Sequence, residues 1–316
     1  MAFYNVENLY DTLNDPQKND DEFLPKAKTK WGKERYGTKL THLSEAISGI
    51  GEEYSLGGPT ILGLSEVENE SVLQDLINTP KLKNNNYGIV HYDSPDARGV
   101  DVALLYRKNA FQVTSSKSVR LYIAGKPDFA SRDQLVVSGV LEGEKMHFIV
   151  NHWPSRRGGE KKSSPLREAA AKLTRSIVDS LLKLDPNAKI MVMGDLNDDP
   201  VNKSVATFLK TTGTQTEAKE SLLFNPMYDM HKKLGLGSLA YRDAWNLFDQ
   251  IILSPGLLGT DKTSFTYLKA YVFNKNFLVQ KEGSFAGYPF RTYVGGSFLG
   301  GYSDHFPVYV YIAKEK

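Results

Sequence analysis

Cysteine is absent from this sequence of 316 residues. Its absence excludes disulfide bonds, thiolate-bound metals and a cysteine nucleophile, and it leaves the redox compartment undecided. The sequence also lacks an apolar run of the roughly 18 residues that a membrane-spanning helix needs. A charge excess is missing as well, since 39 Lys and Arg residues face 37 Asp and Glu residues. A nucleic-acid partner would therefore have to bind a local basic patch.

The composition is that of an ordinary globular protein, with 41% hydrophobic and 24% charged residues. The sequence shows no internal repeat, no low-complexity tract and no linker. Length alone suggests about two domains, but a large α/β domain with two sheets can take up the whole chain. We therefore expect residues 1–316 to form a single domain, and we expect a monomer.

The first predicted strand, Phe3 to Val6, has only two residues before it. Strands usually run about five or six residues, so this start is abrupt. No signal peptide opens the sequence as given. We expect that a leader has been removed and that the protein is secreted or periplasmic, while a cytoplasmic location stays open.

Hydrophobic periodicity predicts the main helices and strand pairs. The predicted helices cover about 36–50, 72–77 and 165–184, and Pro165 opens the last of them. The predicted strand pairs are 87–91 with 100–107 and 135–141 with 145–150. Loops are expected across 211–247, which is rich in Thr, Gly and Lys.

Polar side chains end or interrupt short apolar strands at six places. The plainest case is 190–195, where an apolar run ends in Gly194 and Asp195. Each such residue alone is commonly a cap, a turn former or a core histidine. Their recurrence predicts a site, because the strands of one sheet end in one place. These side chains are Asn5, Glu66, His152, Asp195, Asn197, Asp249, Asp304 and His305.

Carboxylates, amides and histidines in this number suit metal-assisted phosphoryl chemistry. A phosphodiester repels an anionic nucleophile, so its site must collect positive charge where charge builds in the transition state. A hard divalent ion on oxygen ligands does this. A paired Asp and His supply a base whose pKa lies near the operating pH.

The motifs, in this order along nearly the whole chain, resemble those of the endonuclease/exonuclease/phosphatase superfamily, the fold of DNase I and the AP endonucleases. Residues 5–11 and 151–157 are most similar to the branch of predicted extracellular bacterial nucleases. The matching motifs are the Asn5 strand, Ser65-Glu66-Val67, Asn151-His152, Gly194-Asp195-Leu196-Asn197, Asp249-Gln250-Ile251 and Ser303-Asp304-His305.

The resemblance implies a four-layer α/β/β/α sandwich, in which two packed mixed sheets are flanked by helices and the site lies at one end. It also implies dependence on Mg²⁺ or Mn²⁺. Glu66 would be the main metal ligand, with Asn5 and Asp304 nearby. His305, oriented by Asp249, would activate the attacking water.

The resemblance assigns the phosphate side of the site to other residues. Asp195 and Asn197 would position the phosphate and the nucleophile, and His152 would stabilise charge on the phosphoryl oxygens. DNase-like members give this histidine a carboxylate partner from a middle strand. No Glu stands at the matching place here, so Asp101 is the expected substitute, with a structural role as the alternative.

A basic loop follows His152 and carries Arg156, Arg157, Lys161 and Lys162. These cations, together with Arg98, are expected to bind flanking phosphates of a polymeric substrate. The alternative is a solvated turn that contacts no substrate.

These observations favour a metal-dependent nuclease that acts on nucleic acid. The first alternative is a phosphatase, or a phospholipase or sphingomyelinase type of esterase, acting on sugar or lipid phosphates. The second alternative is a catalytically inactive binding module, although the intact set of polar residues argues against it. Aromatic residues at 285–302 would cover the site, form a membrane-facing rim, or belong to the core.

Overall fold

The structure is a computed structural model that describes residues 1–218 and 222–315. The α-helices are α1 Lys33–Gly49, α2 Glu70–Ile77, α3 Glu160–Leu184 and α4 Met227–Lys232. Shorter helical turns lie at Asp21–Phe23, Lys83–Asn85, Ser204–Phe208, Pro255–Leu257 and Asn276–Leu278. No helix in these two ranges is long and apolar enough to cross a membrane.

The strands are numbered in chain order. The first eight are β1 Ala2–Leu9, β2 Ile61–Val67, β3 Tyr87–His91, β4 Asp101–Arg107, β5 Phe111–Val119, β6 Gln134–Leu141, β7 Glu144–His152 and β8 Lys189–Asp195. The others are β9 Thr211–Thr212, β10 Leu223–Phe224, β11 Leu239–Tyr241, β12 Ala244–Asn246, β13 Asp249–Leu253, β14 Thr266–Val272, β15 Tyr293–Val294, β16 Ser297–Phe298 and β17 Val308–Ala313.

Most of these strands belong to two large sheets. One has the order β14-β17-β1-β2-β4-β3, and the other has the order β5-β6-β7-β8-β13-β10-β9. Both are mixed, since the parallel pairs β1–β2 and β7–β8 lie among antiparallel neighbours. Strands β11–β12 and β15–β16 form separate hairpins.

Three apolar clusters separate four layers. The first lies between the sheets and contains Phe3, Phe148 and Met193. The second joins α1 and α2 to the outer face of the six-stranded sheet, and the third joins α3 to the outer face of the other sheet. This arrangement confirms the predicted α/β/β/α sandwich.

The two sheets are in close contact at Gly63 on β2. A Cβ atom there would lie 2.6 Å from the sulfur of Met193 and 3.1 Å from a ring carbon of Phe3. Larger side chains cannot be accommodated at this point without movement of the sheets, since core atoms are already closely packed.

The predicted helices and strand pairs are present with small shifts at their ends, with one clear exception. Helix α3 begins at Glu160, five residues before Pro165. Gly159 has φ +107°, which suits glycine, and its carbonyl accepts a hydrogen bond of 2.8 Å from the Ser163 hydroxyl. The prediction that Pro165 opens the helix is wrong, and Lys161 lies in the first helical turn and not in a loop.

Several strands were not predicted, and β5 and β14 are the long ones among them. β5 and β14 lie at the edges of their sheets and carry exposed polar residues, so the apolar alternation of a buried strand is weak. The interval 211–247 holds the short elements β9 to β12 and α4 between loops. Residues 219–221 of that interval lie outside the described part of the chain.

Replacing Phe148 by Ala tests the core between the sheets. The Phe148 ring is fully buried and meets the Phe111 ring edge-on at 5.4 Å between centroids. We expect the free energy of unfolding to fall by about 3–5 kcal/mol in urea titrations, because the truncation leaves a cavity. Tyr122→Ala, at a side chain that is 79% exposed, should change it by less than about 0.5 kcal/mol. Equal effects of the two substitutions would contradict a packed core around Phe148.

Candidate functional site

Strand register brings the polar strand ends together. His152 on β7 lies beside Asp195 on β8, and Asp249 on β13 lies beside Asp195 on the other side. In the second sheet, Asn5 on β1 lies beside Ser65 on β2, next to Glu66. The predicted residues therefore occupy the same end of both sheets.

One hydrogen bond crosses between the sheets at this end. The Asn5 side-chain amide donates to Asp195 Oδ2 at 3.0 Å. The other oxygen of Asp195 accepts the backbone N–H of Asn197 at 2.9 Å. The hydroxyl of Ser303 donates to the backbone carbonyl of Asn5 at 2.7 Å and so holds the Asp304–His305 turn against β1.

Glu66 reaches the site because its backbone has an unusual conformation. Alternation along β2 would direct this residue to the helix-covered face, but its φ is +64°. Its Oε2 accepts the backbone N–H of Asn8 at 3.0 Å, and its Oε1 lies 3.9 Å from His152 Nε2. Glu7, Asn8 and Asn197 also have positive φ values. Such non-glycine residues cluster at functional sites, where the surrounding structure holds them.

His305 and Asp249 form a buried pair. His305 Nδ1 lies 2.6 Å from Asp249 Oδ2, which also accepts a hydrogen bond from the Ser238 hydroxyl. Burial lowers the pKa of His305, but the charge and hydrogen bond of Asp249 outweigh it and raise that pKa well above its ordinary value. The free Nε2 lies 4.0 Å from carboxylate oxygens of both Asp195 and Asp304.

His152 has the opposite electrostatic environment. Its Nε2 lies 3.6 Å from Asp195 Oδ2, and its Nδ1 has no hydrogen-bond partner among the described residues. Burial, followed by the charges of Arg132 and Arg98, holds the pKa of His152 well below its ordinary value. The site therefore pairs a neutral histidine with a readily protonated one.

Asp195, which lies between these two histidines, is also perturbed. Burial raises its pKa to about 6, with the charge of Asp249 adding to the rise and His305 opposing it. A group that titrates here could accept or release a proton near neutral pH.

Asp101 is not the partner of His152, and that prediction is wrong. Its neighbours Val102 and Leu104 face the second sheet, so alternation places Asp101 on the opposite face of the sheet. There its Oδ2 lies 3.1 Å from His91 Nε2, and its Oδ1 accepts the backbone N–H of Ser94 at 2.9 Å.

Arg132 is a buried cation near the site that was not among the predicted residues. It donates to Asp96 Oδ2 at 3.2 Å and to the backbone carbonyl of Trp153 at 2.7 Å. Arg98 lies on the other side of Asp96, with its Nε 3.5 Å from Oδ1, and its side chain is 43% exposed. The signal for Arg132 was a charged pair, Arg132-Asp133, immediately before an apolar strand.

The hydrogen-bond donors of Arg156 are used by groups within the protein, which contradicts its predicted role in substrate binding. It donates to the backbone carbonyl of Asn197 at 2.9 Å and to side-chain oxygens of Asp198 and Asn202 at 3.1 and 3.0 Å. Its guanidinium also covers the Phe248 ring at 4.4 Å. These contacts brace the loop after β8, whereas Arg157 and Lys161 are exposed.

A second polar network surrounds Asp304, and the sequence analysis missed it too. Arg291 donates to Asp304 Oδ2 at 2.5 Å and lies 3.8 Å from Glu7. Fully buried Lys39 lies 3.9 Å from Glu7. Burial and the charge of Asp304 raise the pKa of Glu7 to about 7, against the opposing charge of Lys39.

The donor atoms at this end suit a hard divalent cation. Glu66 is 14% exposed, and no Lys or Arg within ion-pair distance neutralises it in the described ranges. One ligand atom from each of Asp195, Asp249 and His305 lies within 4.8 Å of the others. Glu66 therefore offers the unpaired carboxylate that Mg²⁺ and Mn²⁺ usually bind, whereas Asp304 is paired with Arg291.

A model of the endonuclease/exonuclease/phosphatase family matches residues 1–314. The chain belongs to this family, and it is a metal-dependent phosphoric ester hydrolase. This finding confirms the resemblance inferred from the motifs. No curated protein matches the sequence.

Solved structures share the fold at low sequence identity. A mannosyl-6-phosphatase of Bacteroides thetaiotaomicron VPI-5482 is 17% identical, with a TM-score of 0.58 over 99% of this chain and 98% of that one. TDP2 of D. rerio, complexed with a single-strand DNA product, is 15% identical, with a TM-score of 0.53 over 86% and 93%. A functionally unknown protein of Enterococcus faecalis V583 is 14% identical, with a TM-score of 0.55 over 99% of both chains.

Substituting each arginine of the basic loop separates bracing from substrate contact. Arg156→Ala leaves polar groups of the loop after β8 without their donor, so we expect the free energy of unfolding to fall by roughly 1–3 kcal/mol. Arg157→Ala, at an exposed residue, should change it by less than about 0.5 kcal/mol. Urea titrations of the two variants measure the difference, and the same unfolding midpoint in both would refute the bracing role.

Proposed function

We propose that this hydrolase is a divalent-metal-dependent phosphodiesterase that cleaves nucleic acid. The observation that carries the proposal is the arrangement of His305 and Asp249 around Asp195, with neutral His152 on the far side of the same carboxylate. The base His305, the positioning carboxylate Asp195 and the uncharged hydrogen-bond donor His152 therefore lie close together at the end of the sheets.

Glu66, Asn5 and Asp304 are the residues that we propose as the metal site. Their oxygen donors suit Mg²⁺ or Mn²⁺. A bound cation supplies positive charge to the phosphoryl oxygens and the leaving group. Arg291, which binds Asp304 in the described structure, limits how that carboxylate can be oriented.

His305 acts as the general base in this proposal. Asp249 accepts a hydrogen bond from Nδ1–H, which leaves Nε2 free to take a proton from water. The three carboxylates around the ring favour its protonated form, whereas cationic charge nearby would lower its pKa toward neutrality. Asp195 and Asn197 position the phosphate, and His152 donates to a phosphoryl oxygen from its neutral ring.

The charge of the site favours a diester over a monoester. Glu66, Asp195, Asp249 and Asp304 outnumber Arg291 and His305, the basic residues that pair with two of them, and a phosphomonoester would add up to two more negative charges. A phosphodiester adds one. The lower charge is easier to accommodate beside these carboxylates.

Arg98 lines a cavity at the site, and two exposed lysines are adjacent in sequence to another lining residue, which suits the backbone of a polymer. A cavity of about 320 Å³ next to Glu7 and Asn8 is lined in part by Thr29. Lys28 and Lys30 flank Thr29 and are exposed, as is part of Arg98. Such cations contact phosphates without reading sequence. The DNA product bound to TDP2 supports a nucleic-acid substrate for this fold.

A sugar phosphate is the second candidate substrate. The same cavity is lined by Tyr10, Phe23 and Trp31 as well as by polar groups. A mixed aromatic and polar lining of this size suits a single sugar ring. The likeness to a mannosyl-6-phosphatase over almost the whole chain supports this candidate.

Several earlier expectations stay predictions. They are the single domain over residues 1–316, the monomeric state, the secreted or periplasmic location, and the nearness to extracellular bacterial nucleases. Binding of Arg98, Arg157 and Lys161 to substrate is likewise proposed.

Asp249→Asn tests the base through the pH dependence of kcat/KM. Asp249 raises the pKa of His305, so its neutralisation lowers that pKa, and the acid limb of the profile should move to lower pH. The plateau should fall by roughly 10²–10⁴, because the ring loses its orienting partner. Asp229→Asn, at a surface side chain that is 45% exposed, should leave both unchanged. An unmoved acid limb in Asp249→Asn would show that another group is the base.

A substrate panel tests the proposed specificity. We expect plasmid DNA and single-stranded oligonucleotides to be cleaved with Mg²⁺ or Mn²⁺, with no cleavage in EDTA or by Glu66→Gln. Hydrolysis confined to sugar phosphates would favour the second candidate. Hydrolysis confined to phospholipids would refute both candidates.

A further inference from the structure

A second group of side chains that could hold a metal ion lies on a different face of the sheet from the candidate active site. It consists of His91 at the end of β3, Asp101 at the start of β4, and Asp93 in the turn between them. One ligand atom of each lies within 4.8 Å of the other two. The group is on the helix-covered face of its sheet, whereas His152 faces the interior between the two sheets.

Two of these side chains already have the separation of metal ligands. His91 Nε2 and Asp101 Oδ2 are 3.1 Å apart. Adjacent ligands with bonds of about 2.1 Å lie about 3.0 Å apart around an octahedral ion and about 3.4 Å apart around a tetrahedral one. An ion could therefore replace the proton between these atoms with little movement of either side chain.

Both side chains are held firmly. His91 and Asp101 are each only 4% exposed at the side chain. They sit on hydrogen-bonded neighbouring strands, where His91 pairs with Ala103. The second oxygen of Asp101 accepts the backbone N–H of Ser94 at 2.9 Å, which fixes the carboxylate orientation. Asp93 is exposed in the turn and can move to complete the site.

A cavity gives access to this group from solvent. The cavity has a volume of about 560 Å³, and Asp93 and Asp101 are part of its lining. The carboxylates of Asp11, Asp15 and Glu68 also line it. The basic residue of the lining is Lys18, whose ammonium group donates to the backbone carbonyls of Ser94 and Asp96 at 2.9 and 3.1 Å. Carboxylates outnumber this cation, so the cavity favours entry of positive ions.

We propose that His91, Asp93 and Asp101 form a second divalent-cation site, separate from the active site and independent of the function proposed above. One imidazole and two carboxylates suit a transition-metal ion such as Zn²⁺ or Mn²⁺ better than Mg²⁺. The ion would join the ends of β3 and β4 to the turn at 92–100. Because that turn carries Arg98, the ion would also stabilise one wall of the active site.

Isothermal titration with Zn²⁺ and with Mn²⁺ tests the proposal. Wild type should bind two equivalents. Asp93→Asn and His91→Gln should each lose one of them, or bind it at least about ten-fold more weakly. Glu66→Gln should still bind the ion held by His91, Asp93 and Asp101, because this substitution changes only the active site. Asp128→Asn, at an exposed loop carboxylate, should bind as wild type does.

Thermal unfolding with and without Zn²⁺ gives a second measurement that does not depend on activity. The ion should raise the Tm of wild type and of Glu66→Gln more than that of Asp93→Asn. Asp93 is exposed, so its substitution should leave the metal-free fold intact even if His91→Gln does not fold. Unchanged stoichiometry and affinity in Asp93→Asn, for both ions, would overturn the proposal.

Discussion

The hydrogen bond from Asn5 to Asp195 joins two halves of a site that belong to different sheets. Glu66 and Asn5 come with the six-stranded sheet, and His152, Asp195 and Asp249 come with the other. Neither sheet alone carries a complete set of reactive groups. The packing of Phe3 and Met193 behind this hydrogen bond therefore has a chemical role, because it sets the distance between the two halves.

The electrostatics of the site depend on which charges surround each buried group. Two buried histidines lie near the same carboxylate, yet the pKa of His305 is raised and that of His152 is lowered. The difference follows from their other neighbours, which are carboxylates for one and arginines for the other. Two titratable groups with opposed shifts can divide acid and base roles within one site.

Strand alternation explains which parts of the site could be predicted from the sequence. The ends of buried strands are readable because apolar residues precede them, and the structure brings all of those ends together. Asp101 fitted the same pattern, but it lies on the helix-covered face of its sheet. A single sequence does not tell which face of β4 is covered by helices and which packs on the second sheet. Edge strands β5 and β14 lacked the pattern, since all but one residue of each is partly or fully exposed. Arg132, Lys39 and Arg291 act through contacts distant in sequence, which spacing does not reveal. Arg156 has the charge of a phosphate ligand, and only its partners show that it braces a loop.

Close contact at Gly63 places a mechanical constraint directly behind the chemistry. Gly63 lies two residues before Ser65, and Met193 lies two residues before Asp195, so any side chain at Gly63 would act as a wedge between the two halves of the site. Each sheet could keep its own hydrogen bonds while the sheets separate by a small distance. Mild denaturant or heat should then abolish turnover before circular dichroism detects a loss of secondary structure. The catalytic rate in this fold would thus depend on how closely the two sheets pack together, and not only on the integrity of either sheet.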